Sequence, residues 1–124
     1  MGTTDQGPSI PAADASTIRR LLEELSDLIA QGRSRAAFVM AWSPLEAALR
    51  SREEDGASRA QTAGTFVQTL AERGYIDYEV ARRMREMIDL RNRIVHGDTR
   101  AEPSPVDLDV IQSAIEATLG ADAL

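Results

Sequence analysis

His96 is the only histidine in the chain and, because the sequence has no cysteine, the side chain best suited to acid–base chemistry near neutral pH. It closes a segment of helical periodicity that also contains Arg91 and Asn92. In a helix, Asn92 and His96 lie about 40° apart on one face, and the long side chain of Arg91 can reach toward the same cleft. An imidazole that moves protons and a guanidinium that neutralises phosphoryl oxygens form a minimal set of groups for phosphodiester cleavage.

Two alternatives remain open for this segment. Gly97 is a typical residue for ending a helix, so His96 falls at a helix end, where a histidine often only binds the last carbonyl groups or complements the helix dipole. The arginines of the segment either bind an anionic substrate or form a solvated face that acidic neighbours partly neutralise. These arginines are Arg82, Arg83, Arg85, Arg91 and Arg93.

Composition limits the class of protein. With 124 residues, the chain can form one domain with a modest core. Since it has no cysteine and one histidine, thiolate metal sites and an intrachain zinc site are not expected, and we predict no metal and no cofactor. The net charge of −6 argues against a general nucleic-acid coat protein but permits a local basic patch.

No segment of the sequence has the pattern of a membrane span or a signal peptide. The longest uncharged apolar run, residues 36–45, is too short to cross a bilayer. The N-terminus lacks a charged region followed by an apolar one. We therefore predict a cytoplasmic protein that does not associate with membranes.

Apolar residues recur at helical spacing through most of the chain, which predicts an all-α fold. We expect a flexible segment over residues 1–13, a helical domain over residues 14–120 and a tail over residues 121–124. Capping residues and periodicity predict helices over about residues 15–31, 35–52, 60–73, 78–96 and 105–119. The connections are short and favour antiparallel neighbours, so the expected architecture is an up-and-down bundle of four to five helices.

Two of these helices have wide apolar surfaces. The second is apolar on every side around Trp42, which is typical of a helix at the middle of a bundle or at an oligomer interface. Pro44 should kink this helix unless a new helix starts at Ser43. The two surfaces exceed what one small bundle can bury, so we predict a homodimer. The expected buried side of the fourth helix is Val80, Met84, Met87, Ile88, Ile94 and Val95.

The segment Arg91-Asn92-Arg93-Ile94-Val95-His96 resembles the motif of the HEPN superfamily, in which an arginine and a polar residue precede a histidine. Residues 41–50 are similar to the second helix of many bacterial HEPN proteins. The resemblance covers about residues 16–119. It implies an all-α, HEPN-like bundle that forms a dimer.

HEPN proteins are commonly metal-independent endoribonucleases whose active site forms where two protomers meet. By this resemblance, Arg91 and His96 would carry catalysis, Asn92 would orient the histidine or the phosphate, and the RNA 2′-hydroxyl would attack its own phosphorus. Such enzymes act in toxin–antitoxin and phage-defence systems, which implies an antitoxin or a regulatory protein as a further partner. The arginines expected to bind the RNA substrate are Arg93, Arg85 and Arg82.

The sequence also has a feature that departs from part of the superfamily. One branch carries a tyrosine two positions after the histidine, and a nucleotidyltransferase antitoxin modifies it; Asp98 stands at that position here. We therefore do not expect this form of control. Because many HEPN domains are not catalytic, the alternative function is a HEPN-like dimerisation or partner-docking module in which His96 caps a helix.

Overall fold

The computed structural model describes residues 14–52 and 62–120, and within these ranges it contains five helices and no strand. The helices are α1 (Ala15–Ala30), α2 (Ser34–Arg52), α3 (Ala63–Glu72), α4 (Tyr78–Val95) and α5 (Pro105–Leu119). The prediction of an all-α bundle is confirmed. The predicted flexible segment 1–13, the tail 121–124 and the start of the third helix at residue 60 lie outside the described residues.

Side-chain caps explain where α1, α4 and α5 begin. Asp14 and Asp77 each accept a hydrogen bond, at 2.9 and 2.8 Å, from the backbone N–H three residues later. At the start of α5, Ser104 and Asp107 each accept a hydrogen bond from the other's backbone N–H. These bonds satisfy N–H groups that have no partner inside the first turn of a helix. The caps at residues 77 and 104 therefore fix the start of α4 and the start of α5 on either side of His96.

α2 lies at the centre of the bundle, between α1 and α5, and also contacts α4. The rings of Phe38 and Trp42 pack edge to face within it, with centroids 6.1 Å apart. Because its own chain covers α2, its apolar residues need no second copy to bury them. The position of α2 at the middle of the bundle is therefore the alternative that the structure supports, and the homodimer stays a prediction that α2 no longer supports. The buried residues of α2 are Ala37, Phe38, Ala41, Trp42, Pro44, Leu45, Ala47, Ala48 and Leu49.

Pro44 lies inside a continuous α2 and is fully buried. The alternative in which a new helix starts at Ser43 is therefore wrong. Proline cannot donate the backbone hydrogen bond that an interior helical residue normally makes. The burial of Ala41 and Leu45 on either side of it stabilises the helix where that bond is missing.

α4 buries one side against the bundle and exposes the other. Met84 and Met87 are buried as expected, and Ile94 is half-buried. Val95 is not buried: 51% of its surface is exposed, because it is the last residue of α4 and its side chain extends past the packed part of the helix. The end of α4 therefore presents an apolar side chain to solvent directly beside His96.

Two arginines of α2 join its ends to the chain that follows α4. Arg35, near the start of α2, donates a hydrogen bond from Nη1 to the carbonyl oxygen of Thr99 at 2.8 Å. Arg52, at the end of α2, donates from Nε to the carbonyl oxygen of Thr118 at 2.9 Å, and also to that of Leu119. The start of α2 consequently lies next to the turn after His96, and the end of α2 lies next to the end of α5.

Candidate active site

His96 is the residue at which α4 ends. Its backbone N–H donates to the Asn92 carbonyl at 3.0 Å, which completes the last helical turn. Gly97 then takes a positive φ of 97°, a conformation that glycine adopts without steric cost. The N–H of Asp98 returns to the Arg93 carbonyl at 2.8 Å and closes the turn. The chain thus leaves the helix immediately after His96, and the side chain of His96 is exposed.

The imidazole of His96 makes no hydrogen bond and no ion pair with any residue in the described ranges. The backbone of His96 ends the helix, but its side chain does not bind the last carbonyl groups. This observation weighs against the alternative in which the histidine is present only as a side-chain cap. The exposed side chain of His96 is therefore accessible to a ligand.

Arg91 and Asn92 are joined directly. Nη1 of Arg91 donates to Oδ1 of Asn92 at 3.1 Å. Arg91 starts about 140° from His96 around the helix, on the side that faces the bundle, so its chain must bend outward to reach Asn92. Its Nε is buried without a hydrogen-bond partner among the described residues. The amide of Asn92 therefore holds the arginine toward the face of α4 that carries His96.

Arg93 and Asp98 form an ion pair across the turn. Nε of Arg93 lies 3.4 Å from Oδ2 of Asp98, and the other carboxylate oxygen accepts the Arg100 N–H at 3.1 Å. Asp98 therefore stabilises the turn that follows His96. It also partly neutralises Arg93, which limits the charge that Arg93 can offer an anionic substrate.

Arg85 and Arg82 lie on the same face of α4 as His96, but about 16 and 21 Å from it along the helix axis. Arg82 is close to Glu79 at 2.6 Å and to Glu86 at 3.7 Å. The hydrogen bond that Arg82 donates to Glu79 raises the pKa of its guanidinium. Arg85 is exposed and makes no ion pair with a described residue. Within one chain, neither arginine lies next to His96.

Sequence reasoning missed Arg35, which contacts the turn after His96 through the carbonyl of Thr99. The two residues are 64 positions apart, so no local motif or periodicity connects them. Only the packing of α2 against the end of α4 brings them together. Arg35 adds another guanidinium to an end of the molecule that already carries Arg91, Arg93 and Arg100.

An open groove lies at the other end of α4. Its volume is about 490 Å³, and its wall combines apolar side chains with Asp77 and Asp109. Val106 on this wall is 53% exposed, and the neighbouring Tyr78 is 80% exposed. Asp77 is the residue before α4 and His96 the residue after it, so the groove is separate from the candidate active site. The apolar lining is Tyr75, Ile76, Val80, Val106, Val110, Ala114 and Ala117.

Two negative findings concern residues 14–52 and 62–120 alone. They contain no group of three or more histidine, cysteine, aspartate and glutamate side chains placed to hold a metal ion. None of their helices has both the length and the apolar composition needed to span a membrane.

A comparison with protein families gave one match. A family model described as Ribonuclease HepT-like matches residues 15–119, the range from the first residue of α1 to the last residue of α5. Comparisons with curated proteins and with solved structures gave no match.

Proposed function

The chain belongs to the HepT-like ribonuclease family, which is part of the HEPN superfamily, and from this premise we propose that it is a metal-independent endoribonuclease. The resemblance that the motif indicated is confirmed at the level of the superfamily. The observation that carries the proposal is the exposed His96 imidazole, which has no partner in the described chain and stands one turn after the bonded pair of Arg91 and Asn92. An exposed imidazole without a partner in the described chain can reach a proton on a bound substrate.

The proposed reaction uses the RNA itself as the nucleophile. One imidazole removes the proton from a 2′-hydroxyl, the 2′-oxygen forms a bond to the adjacent phosphorus, and the bond from phosphorus to the 5′-oxygen breaks. A second imidazole gives that leaving oxygen a proton, so the products are a 2′,3′-cyclic phosphate and a 5′-hydroxyl. Arg91 stabilises the charge on the phosphoryl oxygens, and Asn92 orients Arg91.

The need for both a base and an acid supports a homodimer, since each chain supplies one histidine. The composite site would form where the ends of two α4 helices meet. The exposed Val95 beside His96 offers an apolar contact at that point. Light scattering at micromolar concentration measures the oligomeric state, and a monomer would contradict the composite site.

The RNA would follow the face of α4 that carries His96. Arg93 lies nearest to the motif, and Arg85 and Arg82 follow at increasing distance along the helix. They would contact the phosphate backbone, which needs positive charge but no particular base. Because Arg85 alone of these three has no carboxylate partner among the described residues, it should contribute more than Arg82.

We assign the enzyme to a toxin–antitoxin or phage-defence system that acts in the cytoplasm under an antitoxin or a regulatory protein. A ribonuclease of this kind must be restrained, because unrestrained cleavage of cellular RNA stops growth. Induced expression of the wild type should arrest growth, whereas His96→Ala should not. Equal growth of the two strains would contradict this cellular role.

The decisive experiment is cleavage of single-stranded RNA by the purified chain in the presence of EDTA. The products should carry 2′,3′-cyclic phosphates, and DNA, which has no 2′-hydroxyl, should stay intact. His96→Ala should lower the rate by about 10²–10⁴-fold, the usual contribution of general acid–base catalysis. Arg20→Ala, at an exposed position early in α1, is the control. Equal cleavage by wild type and His96→Ala would mean that another nuclease is present.

The second candidate function is a partner-docking module without catalysis. It is favoured by the open groove at the start of α4, where Val106 and Tyr78 are exposed far from His96. Under this alternative, a confirmed dimer would cut none of a varied set of RNAs. The substitution Val106→Asp would then weaken binding of the partner in cells, whereas His96→Ala would leave that binding unchanged.

A further inference from the structure

Arg35, which lies outside the motif, is held next to the candidate active site by one hydrogen bond. Its Nη1 lies 2.8 Å from the Thr99 carbonyl oxygen. Thr99 is three residues after His96, a separation that the chain can span by at most about 11 Å. The guanidinium of Arg35 therefore lies on the turn that presents His96, although Arg35 belongs to α2.

This contact fixes the position of the guanidinium but does not neutralise it. A guanidinium has five N–H donors, and the neutral carbonyl of Thr99 accepts from one of them. No carboxylate in the described part of the chain forms an ion pair with Arg35. Arg100, on the same turn, is exposed and its side chain is equally without such a partner. Arg35 and Arg100 consequently keep two positive charges, one bonded to the Thr99 carbonyl and one on the residue that follows Thr99.

The geometry points to a second phosphate-binding position formed by Arg35 and Arg100, which binds the RNA strand next to the phosphate that is cut. This inference rests on the proposed function and names a part of the substrate path that the motif does not include. Because the hydrogen bond to Thr99 already restricts Arg35, the side chain loses little further freedom when it binds a phosphate. RNA would thus cross from α4 over the turn to the start of α2.

The test measures binding of a short fluorescein-labelled, single-stranded RNA of mixed sequence to the full chain carrying His96→Ala, so that the RNA is not cut. Fluorescence anisotropy is recorded over a series of salt concentrations. Arg35→Gln removes the charge and keeps an N–H donor for Thr99, whereas Arg35→Lys keeps the charge. Each lost phosphate contact lowers the slope of log K against log salt by about 0.7 for a single strand. We expect that loss for Arg35→Gln, no loss for Arg35→Lys, and a loss of about 1.4 for Arg35→Gln with Arg100→Gln.

Arg20→Gln is the matched control, because it removes the same charge from an exposed arginine about 15 Å before the end of α1. An unchanged slope for Arg35→Gln, or an equal loss for Arg20→Gln, would overturn the inference. If the wild type cuts RNA through His96 while Arg35→Gln binds RNA like its parent, only this inference fails. If the His96→Ala protein binds no RNA and the wild type cuts none, both this inference and the proposed function fail.

Discussion

Arginine side chains lie at both ends of α4, but their partners differ from one end to the other. Near its start, Arg82 pairs with Glu79 and Glu86, and Arg83 lies 3.0 Å from Asp107. Near its end, Arg93 pairs with Asp98, but Arg91 donates to a neutral amide and the nearby Arg35 donates to a neutral carbonyl. The same residue type therefore stabilises the fold at one end and leaves positive charge for a ligand at the other. A net charge of −6 for the whole chain hides this difference.

The largest expected effect is on cleavage at the end of α4. Arg91→Lys should lower the rate on the order of 10²-fold, as does the loss of one preorganised donor to a developing negative charge. Lysine keeps the charge, but its ammonium group cannot make the planar, two-pronged contact of a guanidinium. Arg83→Lys, at the other end of the same helix, is the control and should cut RNA like the wild type. Initial rates on one RNA compare the two variants, and equal losses would remove the distinction between the ends.

The next effect is on the stability of the fold. Here a substitution near the start of α4 should cost more than one near its end, the reverse of the order expected for cleavage. Arg83→Gln breaks the ion pair with Asp107, whose side chain is only 13% exposed and also caps α5. We expect a loss of about 1 kcal/mol in the free energy of unfolding, because Arg83 itself is partly solvated. Arg93→Gln breaks an ion pair that is exposed on both sides and should change stability little. Chemical denaturation measures both, and a larger loss for Arg93→Gln would contradict the comparison.

A smaller effect concerns Asp98, the carboxylate that pairs with Arg93 of the motif. Asp98→Asn should free the charge of Arg93 and tighten RNA binding by at most about fivefold, since an exposed ion pair is worth up to about 1 kcal/mol. Asp109→Asn removes the same charge from the groove at the other end. Anisotropy with labelled RNA, in the His96→Ala background, compares the two. If Asp109→Asn tightens binding as much, the effect depends on net charge alone.

The smallest effect, at the start of α1, gives a baseline for charge effects away from both ends of α4. The hydrogen bond from the Thr17 N–H lowers the pKa of Asp14 below its usual value, 3.8. A carboxyl with a lowered folded-state pKa stabilises the fold above its unfolded pKa and loses that contribution as the pH falls through the folded value. Asp14→Asn keeps an oxygen acceptor but no charge, so it should be slightly less stable at neutral pH. The difference in melting temperature should disappear in acid, and a difference that grows there would refute this account.

The positions of the helices could be predicted because short-range patterns determine them. Aspartate and serine are preferred at the start of a helix, and Asp14, Asp77 and Ser104 each accept the backbone hydrogen bond expected of a cap. The motif residues also fall at the predicted helix end. These features depend on neighbours within one turn, which the sequence displays directly.

Other features depend on which helices become neighbours, and periodicity does not contain that information. Val95 occupies an apolar position of its helix, yet no described helix covers it. The apolar faces of α2 around Trp42 are typical of either the middle of a bundle or an oligomer interface. In the structure, other helices of the same chain pack against them. The contact between Arg35 and Thr99 joins residues 64 positions apart and had no signal in either segment.

The basic surface around His96 contains guanidinium groups only, because all 14 basic residues of the chain are arginine and none is lysine. A guanidinium stays protonated at every pH used for enzyme assays, and lysine acetylation has no side chain on which to act. Imidazole is the only type of side chain here that normally changes charge between about pH 5 and 8. The affinity of the His96→Ala variant for RNA should therefore stay constant between about pH 5 and 8.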